Sequence, residues 1–315
     1  MSFSSEVKEE LSRQIHKSRH CQIAEIAAII SLSGKLERLG DGGQILRIYT
    51  ENIALARKYF TLIKKTFAIH ASISIRQNAY LHKGRTCILS ILGSREIDKV
   101  LQAIKWRDSN GMDIFREALA DGLLLKSSCC KRAFIRGAFL ASGSMSDPEK
   151  SYHFEIVCPD RAKAHQLMEV INYFTMDAKI VQRKKWYVVY LKEGAQVVDI
   201  LNIMGAHVAL MNLENVRIVK EMRNSVNRQV NCETANIHKT VNAAVKQIED
   251  ITYIQNTVGL DSLSDGLQEI AQLRLAFPEA ALKELGILLN PAVGKSGVNH
   301  RLRKLSEIAD GLRDF

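Results

Sequence analysis

The stretch IAAIISLSG at residues 26–34 returns as IRGAFLASG at 135–143, with the two Ser-Gly ends 109 positions apart. Each stretch reads as a short apolar helix running straight into a strand pattern. After Gly34 come KLERL, the turn Gly40-Asp41-Gly42-Gly43 and QILRIYT, two alternating runs about glycines that predict a β-hairpin. Residues 52–67 then place Ile53, Ala56, Phe60, Ile63 and Phe67 at helical spacing. Ile73 and Ile75 alternate, a polar turn lies around Asn78 and Lys83-Gly84, TCILSIL (86–92) reads as a strand, and a helix is predicted from Ser94 to Trp106. The order is αββαββα.

From Cys130 the same order returns. A helix runs to Gly143, Asp147-Pro148 makes a turn, and SYHFEIV (151–157) is a strand. Asp160 opens a helix through Phe174, AKIVQR (178–183) and WYVVYL (186–191) form a hairpin, and a last helix covers Gly194 to Met204. A repeat this long predicts a duplicated, pseudo-two-fold unit. Small residues four apart, Ala24 and Ala28 in one opening helix and Ala133, Gly137 and Ala141 in the other, predict that the two backbones approach closely.

Beyond Ala206 no strand pattern recurs. Leu213, Val216, Val219, Met222 and Val226 mark one helix, beside a mostly basic stripe of Arg217, Lys220, Asn224 and Arg228 suited to phosphates; Ile237, Val241, Val245 and Ile248 mark another. Residues 264–310 hold three short helical stretches. ALKELGILLN (281–290) points Leu282, Leu285 and Leu289 inward, PAVG turns, and KSGVNHRLRKLSEI (295–308) points Val298, Leu302 and Leu305 inward, with Gly286 allowing close crossing. Two short helices about a tight glycine-containing turn predict a helix-turn-helix.

The outward face of the second helix carries Lys295, Ser296, Asn299, His300, Arg301, Arg303 and Lys304, with no acid before Glu307. A recognition helix brings its N-terminal residues to base edges in the major groove, which assigns Lys295, Ser296 and Asn299 as readers, extended by Arg303. Arg301 and Lys304 suit phosphates. His300 is either a surface histidine or a further DNA contact.

Composition narrows the class of partner. A formal net charge of +10 over 315 residues favours a polyanion. Aromatics are only 6% of the chain and do not cluster on one strand face, which argues against a stacking platform for single strands and leaves duplex DNA. The charged N-terminus and the lack of any long apolar run predict a cytoplasmic protein without a membrane partner. Cys21, Cys87, Cys129, Cys130, Cys158 and Cys232 contain no CxxC and are expected to be reduced, mostly buried thiols. His16, His20 and Cys21 lack an obvious fourth ligand, and Lys17 and Arg19 oppose a cation, so no metal and no cofactor is expected.

Two opening helices of the form LAGLIDADG, each starting an αββαββα half, resemble the LAGLIDADG homing-endonuclease fold. FIRGAFLASGSMSDPEKSYHFEI (134–156) and NRQVNCETANIHKTVNAAVKQIEDI (227–251) resemble more specifically the WhiA family of bacterial DNA-binding regulators. In the nucleases the last acidic residue of each motif holds divalent metal against the scissile phosphate; the matching positions here are Ser33 and Ser142, which offer neither charge nor a strong ligand. Asp41, Asp147 and Glu149 fall in turn-like text. The resemblance therefore implies a regulator of sporulation, or of cell division and chromosome segregation, in a Gram-positive bacterium, associated with the nucleoid and not an enzyme.

The expected architecture is α+β: a first LAGLIDADG-like half at 1–107, a linker at 108–128, a second half at 129–205, a helical linker at 206–230, and a helical DNA-binding domain at 231–315 with its helix-turn-helix at about 281–306. The expected partner is double-stranded DNA, with another transcription factor or RNA polymerase beside it. Arg47, Arg76, Arg183 and Lys185 would let the sheets touch DNA as well, or else the sheets bind a protein partner or the helical tail itself. The rival readings are a metal-dependent endonuclease with unusual ligands and a protein-interaction module.

Overall fold

The computed structural model describes residues 2–40, 43–77, 85–108, 112 and 119–313. The turns expected at Asp41-Gly42, Asn78 and Lys83-Gly84 lie outside the described residues. The chain divides into a unit of residues 1–220 and a unit of residues 221–315.

In the first unit the duplication is explicit. A leading helix α1 (Phe3–Ser12), which the sequence reading did not anticipate, precedes α2 (Arg19–Ser33), β1 (Gly34–Arg38), β2 (Gln44–Thr50), α3 (Ile53–Phe67), β3 (Ser72–Gln77), β4 (Arg85–Leu92) and α4 (Ser94–Ala103). The second half repeats the order as α5 (Ser128–Ser142), β5 (Gly143–Met145), β6 (Phe154–Cys158), α6 (Arg161–Asn172), β7 (Lys179–Arg183), β8 (Trp186–Leu191) and α7 (Gly194–Met204). Each half builds a four-stranded antiparallel sheet in the same order, β1-β2-β4-β3 and β5-β6-β8-β7.

Equivalent local signals set equivalent boundaries. Asn52 Oδ1 accepts from the Ala54 N–H at 2.8 Å and Asp160 Oδ1 from the Lys163 N–H at 2.8 Å, capping the helix that follows the first hairpin in each half. The predicted helix from Ser94 stops at Ala103, three residues early, and Lys105 turns the chain at φ +62°. Gly34 and Gly143 have ordinary extended φ, so steric room is what selects glycine there. A Cβ on Gly34 would stand 2.5 Å from the Ile30 carbonyl oxygen, and one on Gly143 would stand 2.7 Å from the Phe139 Cα. The Ser-Gly ends let a strand leave directly over the last helical turn.

Helices α2 and α5 pack against each other at the centre of the core. Ala24, Ala28, Ala133 and Ala138 are all but inaccessible, and a Cβ on Gly137 would stand 2.5 Å from the Glu25 carbonyl oxygen. The small-residue spacing thus does produce close backbone approach. Ala141, the third expected member, is only half-buried.

The helical tail differs from expectation. The two helices read from 213–226 and 237–248 are one continuous helix, α8 (His207–Thr257), because no glycine or proline occurs between Gly205 and Gly259 to interrupt it. Glu10 caps its start, its carboxylate oxygens each accepting at 2.9 Å from Val208 and Ala209 N–H. Val219, Met222, Val226, Ile237, Val241 and Val245 are exposed along it. No described helix is long and apolar enough to cross a membrane.

In the second unit the end of α8 joins α9 (Asp265–Ala276), α10 (Leu282–Leu288) and α11 (Lys295–Arg313). Ile251, Ile254, Leu267, Ile270, Leu285, Leu289, Val298, Leu302 and Leu305 form its core. Asp250, on α8, pairs with Arg313 on α11 at 2.9 Å.

Candidate nucleic-acid interface

Helices α10 and α11 with the turn between them form the expected helix-turn-helix. Leu285, Leu289, Val298, Leu302 and Leu305 are buried as predicted, and Leu282 is half-buried. The turn closes on Gly286: its carbonyl accepts from the Val293 N–H at 2.9 Å, and a Cβ at this position would stand 2.1 Å from the Val293 carbonyl oxygen. Ala281 N–H is held at 2.8 Å by the Glu284 carboxylate, which fixes the start of α10. Arg274 supports the preceding turn, donating to the Ala280 carbonyl at 2.8 Å.

The apolar stripe that buries α11 leaves the predicted DNA face in water. Lys295, Ser296, Asn299, His300, Arg303 and Lys304 are all exposed. Arg303 reaches Glu307 one turn on, at 3.3 Å, in a well-solvated pair. Arg301 departs from expectation: it is half-buried and donates to the Gly266 carbonyl at 3.4 Å, so it also braces α11 against α9.

Lys295 and Asn299 share a groove of about 960 Å³ with Lys239, Val241 and Val245 of α8, and with Ala280, Leu282 and Lys283. Lys239 and Lys283 are therefore basic neighbours of the α11 N-terminus that no local sequence pattern marks, since they come from two other elements.

Two cations of the basic stripe expected on α8 have partners within the fold. Arg217 pairs with Glu214 at 3.3 Å, and Lys220 donates to the Pro148 carbonyl at 2.6 Å with its ammonium over the Tyr152 ring. Both cations are taken up within the first unit, where the linker begins, and Arg228 is exposed in the second. The sheet cations are also largely matched. Arg47 pairs with Glu37, and Arg183 pairs with Glu155 at 2.8 Å. Burial raises the Glu155 carboxyl, but hydrogen bonds from His153 and Ser144 and the charge of Arg183 outweigh it and hold the group below its ordinary value. Lys185 lies over the Trp186 ring, and Arg76 is exposed on β3.

At the foot of the central helices, Ser33 donates to the Ile29 carbonyl at 2.7 Å and Ser142 to the Val157 carbonyl at 2.8 Å. Both hydroxyls donate to backbone carbonyls, Ser33 within its own helix and Ser142 to strand β6. The charge at this helix pair lies deeper. Glu25 is fully buried between Lys58 at 2.6 Å and Arg136 at 3.0 Å. Burial alone would raise the Glu25 carboxyl, but the two cations more than offset it and keep it ionised; burial holds Lys58 below its ordinary value.

A second cluster gathers metal-ligand residue types that lie apart in the sequence. His16 and His20 do not share a helix face, since α2 begins at Arg19 and His16 Nδ1 accepts from the Ser18 N–H at 3.1 Å. Instead the fold brings Cys129 and Cys130, at the start of α5, to His20 and Cys21 at the start of α2. Their four ligand atoms lie within 4.8 Å of one another. Cys129 and Cys130 lie 108 and more residues from Cys21 in the chain, which no local spacing rule detects.

Comparison with known proteins agrees with this architecture. Residues 19–105 match the WhiA N-terminal LAGLIDADG-like domain, residues 131–223 the WhiA LAGLIDADG-like domain, and residues 226–309 the WhiA C-terminal HTH domain. A "Probable cell division protein WhiA" from Lachnoclostridium phytofermentans is 56% identical over 314 residues, covering 99% of this chain and 100% of its own. One from Alkaliphilus oremlandii is 51% identical, covering 100% of this chain and 98% of its own. The crystal structure of full-length DUF199/WhiA from Thermatoga maritima shares the fold, with a TM-score of 0.60 at 24% identity over 98% of each chain. With three consecutive domains matched in order and close relatives aligned from end to end, the chain belongs to the WhiA family.

Proposed function

We propose that the protein is a sequence-specific regulator that reads double-stranded DNA through α11 and does not cut it. The observation that carries this reading is the sorting of side chains on that helix. Its apolar residues are buried, while Lys295, Ser296, Asn299, His300, Arg303 and Lys304 face solvent together at its N-terminal end. In the major groove, Lys295 and Arg303 would pair with guanine and Asn299 with adenine, each good bidentate contact being worth about 1–3 kcal/mol of discrimination. Lys304 would hold phosphate, with Lys239 and Lys283 extending the basic rim; Arg301 would reach phosphate from its seat on α9, and Arg228 is a further phosphate contact.

A role in cell division is supported by the name its relatives carry, and it is the process in which we place this regulator, in the cytoplasm at the nucleoid. Freedom from nuclease activity is supported by the two hydroxyls at the helix feet, which donate to backbone carbonyls where metal ligation would need carboxylates.

Two measurements test the proposal on the full chain. Selection of genomic fragments followed by protection mapping should yield a defined duplex site whose affinity falls steeply with added salt. Salt-insensitive capture of a protein partner such as RNA polymerase, with no duplex preference, would instead favour the interaction-module reading. The mapped duplex incubated with protein and Mg²⁺ should remain intact, and site-dependent scission abolished by changing Ser33, Ser142 or Asp147 would overturn the non-enzymatic reading.

A further inference from the structure

The ligand cluster at the start of α2 and α5 takes no part in DNA reading, and its layout follows the duplication. Cys21 and Cys130 are 109 positions apart, as are His20 and Cys129. Each pair occupies the second and third residues of its helix. The pseudo-two-fold that relates the halves therefore carries one pair onto the other, and two ligands approach a common centre from each side. That is the disposition a tetrahedral ion requires.

We propose that His20, Cys21, Cys129 and Cys130 form a Cys₃His site for one zinc ion, which ties together the first turns of the two central helices. Zinc bonds of about 2.3 Å to sulfur and 2.0–2.1 Å to nitrogen separate tetrahedral ligand atoms by roughly 3.5–3.8 Å. Here all four lie within 4.8 Å of one another, and His20 Nδ1 already stands 3.1 Å from Cys130 Sγ and 3.4 Å from Cys21 Sγ. Small side-chain rotations adjust these separations to the tetrahedral spacing. Three thiolates select a soft or borderline cation over Mg²⁺ or Ca²⁺, and four protein ligands leave no open position, so the site is structural.

Charge supports the same assignment. Three thiolates exceed a dication by one negative charge, and binding one Zn²⁺ to three thiols and a neutral imidazole releases three protons. The excess falls at the positive ends of two helices, where neither Ser18 nor Ser127 caps through its hydroxyl. Lys17, Arg19, Lys131 and Arg132 flank the ligands in sequence. These cations oppose a bare metal ion at two histidines, but they complement an anionic zinc thiolate centre. Cys21 and Cys130 are buried, while half-buried Cys129 and exposed His20 leave a path for the ion to enter.

The test uses full-length reduced protein stripped with a chelator and titrated with ZnCl₂ or CoCl₂. One equivalent should bind; Co²⁺ should give thiolate charge-transfer absorption and intense tetrahedral d–d bands, and Zn²⁺ should raise the melting temperature followed by tryptophan fluorescence. Cys232→Ser, which removes an exposed cysteine outside the cluster, should behave as wild type. His20→Asn and Cys129→Ser, with apo fluorescence and circular dichroism unchanged, should each weaken binding by more than the roughly 10–100-fold cost of losing an outer partner. The proposal fails if neither metal binds stoichiometrically, if Co²⁺ shows no thiolate absorption, or if both variants bind as wild type. It also fails if mass spectrometry of the protein isolated without reductant shows Cys21 joined to Cys129 or Cys130 by a disulfide.

Discussion

The two units place most of their charge differently. At the centre of the first, a carboxylate and two cations are buried where the duplicated helices meet, while the sheet cations Arg47 and Arg183 are spent on Glu37 and Glu155. In the second, Asp250 and Arg274 are buried beside an otherwise apolar core, Asp250 pairing with Arg313, while Lys295, Arg303 and Lys304 of α11 stand in water. Charge turned inward fixes how two similar halves pack; charge turned outward is available to a polyanion. The contrast favours the helical unit for the recognition proposed above, although the other unit has the LAGLIDADG-like scaffold.

The strongest way to break this comparison is at Glu25. Glu25→Gln leaves Lys58 and Arg136 buried without their counter-charge and should cost about 3–5 kcal/mol. Both tryptophans, Trp106 and Trp186, lie in the first unit, so their fluorescence during urea unfolding isolates that loss. The pH dependence has a definite sign. Because the folded Glu25 value is lowered, its contribution is fully present above the ordinary value of 4.5 and is lost as pH falls through the lower folded value. A wild-type first unit whose stability is flat through that acid window, or a Glu25→Gln cost under about 1 kcal/mol, would show that the buried charges do not organise the halves.

The matching perturbation of the second unit is Gly286→Ala. Its Cβ would meet a backbone oxygen, which cannot rotate aside, and overpacking of this kind costs about 1–3 kcal/mol. DNA binding should fall while the tryptophan transition stays in place. A shift of that transition would mean that the units do not unfold independently.

What the sequence disclosed follows from the range of the interactions involved. The halves, their hairpins and the helix-turn-helix were legible because periodicity, caps and glycine turns act over a few residues. Periodic apolar runs at 213–226 and 237–248 mark two helical stretches, but Val230 continues the spacing between them and no residue there breaks a helix, so both belong to the single α8. Arg217 and Lys220 read as a DNA stripe because Pro148, which takes Lys220, is 72 positions away. The Cys₃His cluster escaped notice for the same reason, yet its 109-residue offset was present in the repeat already recognised.

The next contrast lies within α11. Arg303→Ala should relax sequence preference at one base pair by about 1–3 kcal/mol, whereas Lys304→Ala should weaken all duplexes alike and reduce the salt slope by about 1. Competition binding with single-base variants of the mapped site, at several salt concentrations, separates the two. The reverse pattern would place the helix face a quarter-turn from where we set it.

The smallest expected effect is the most direct check on the sheets. Arg183 is about half exposed and its charge is met by Glu155, so Arg183→Ala removes a pair of a type worth roughly 0–1 kcal/mol to stability. If the sheet stays clear of DNA, the substitution leaves the salt slope unchanged, because no counterion-displacing contact is lost. Arg47→Ala, which uncovers Glu37, should behave in the same way. Should either variant lower duplex affinity as much as Lys304→Ala and flatten the salt slope with it, those arginines exchange their carboxylate partners for phosphate on binding. The inward-facing unit would then contact DNA as well, and the division of labour drawn between the units would have to be replaced by a shared interface.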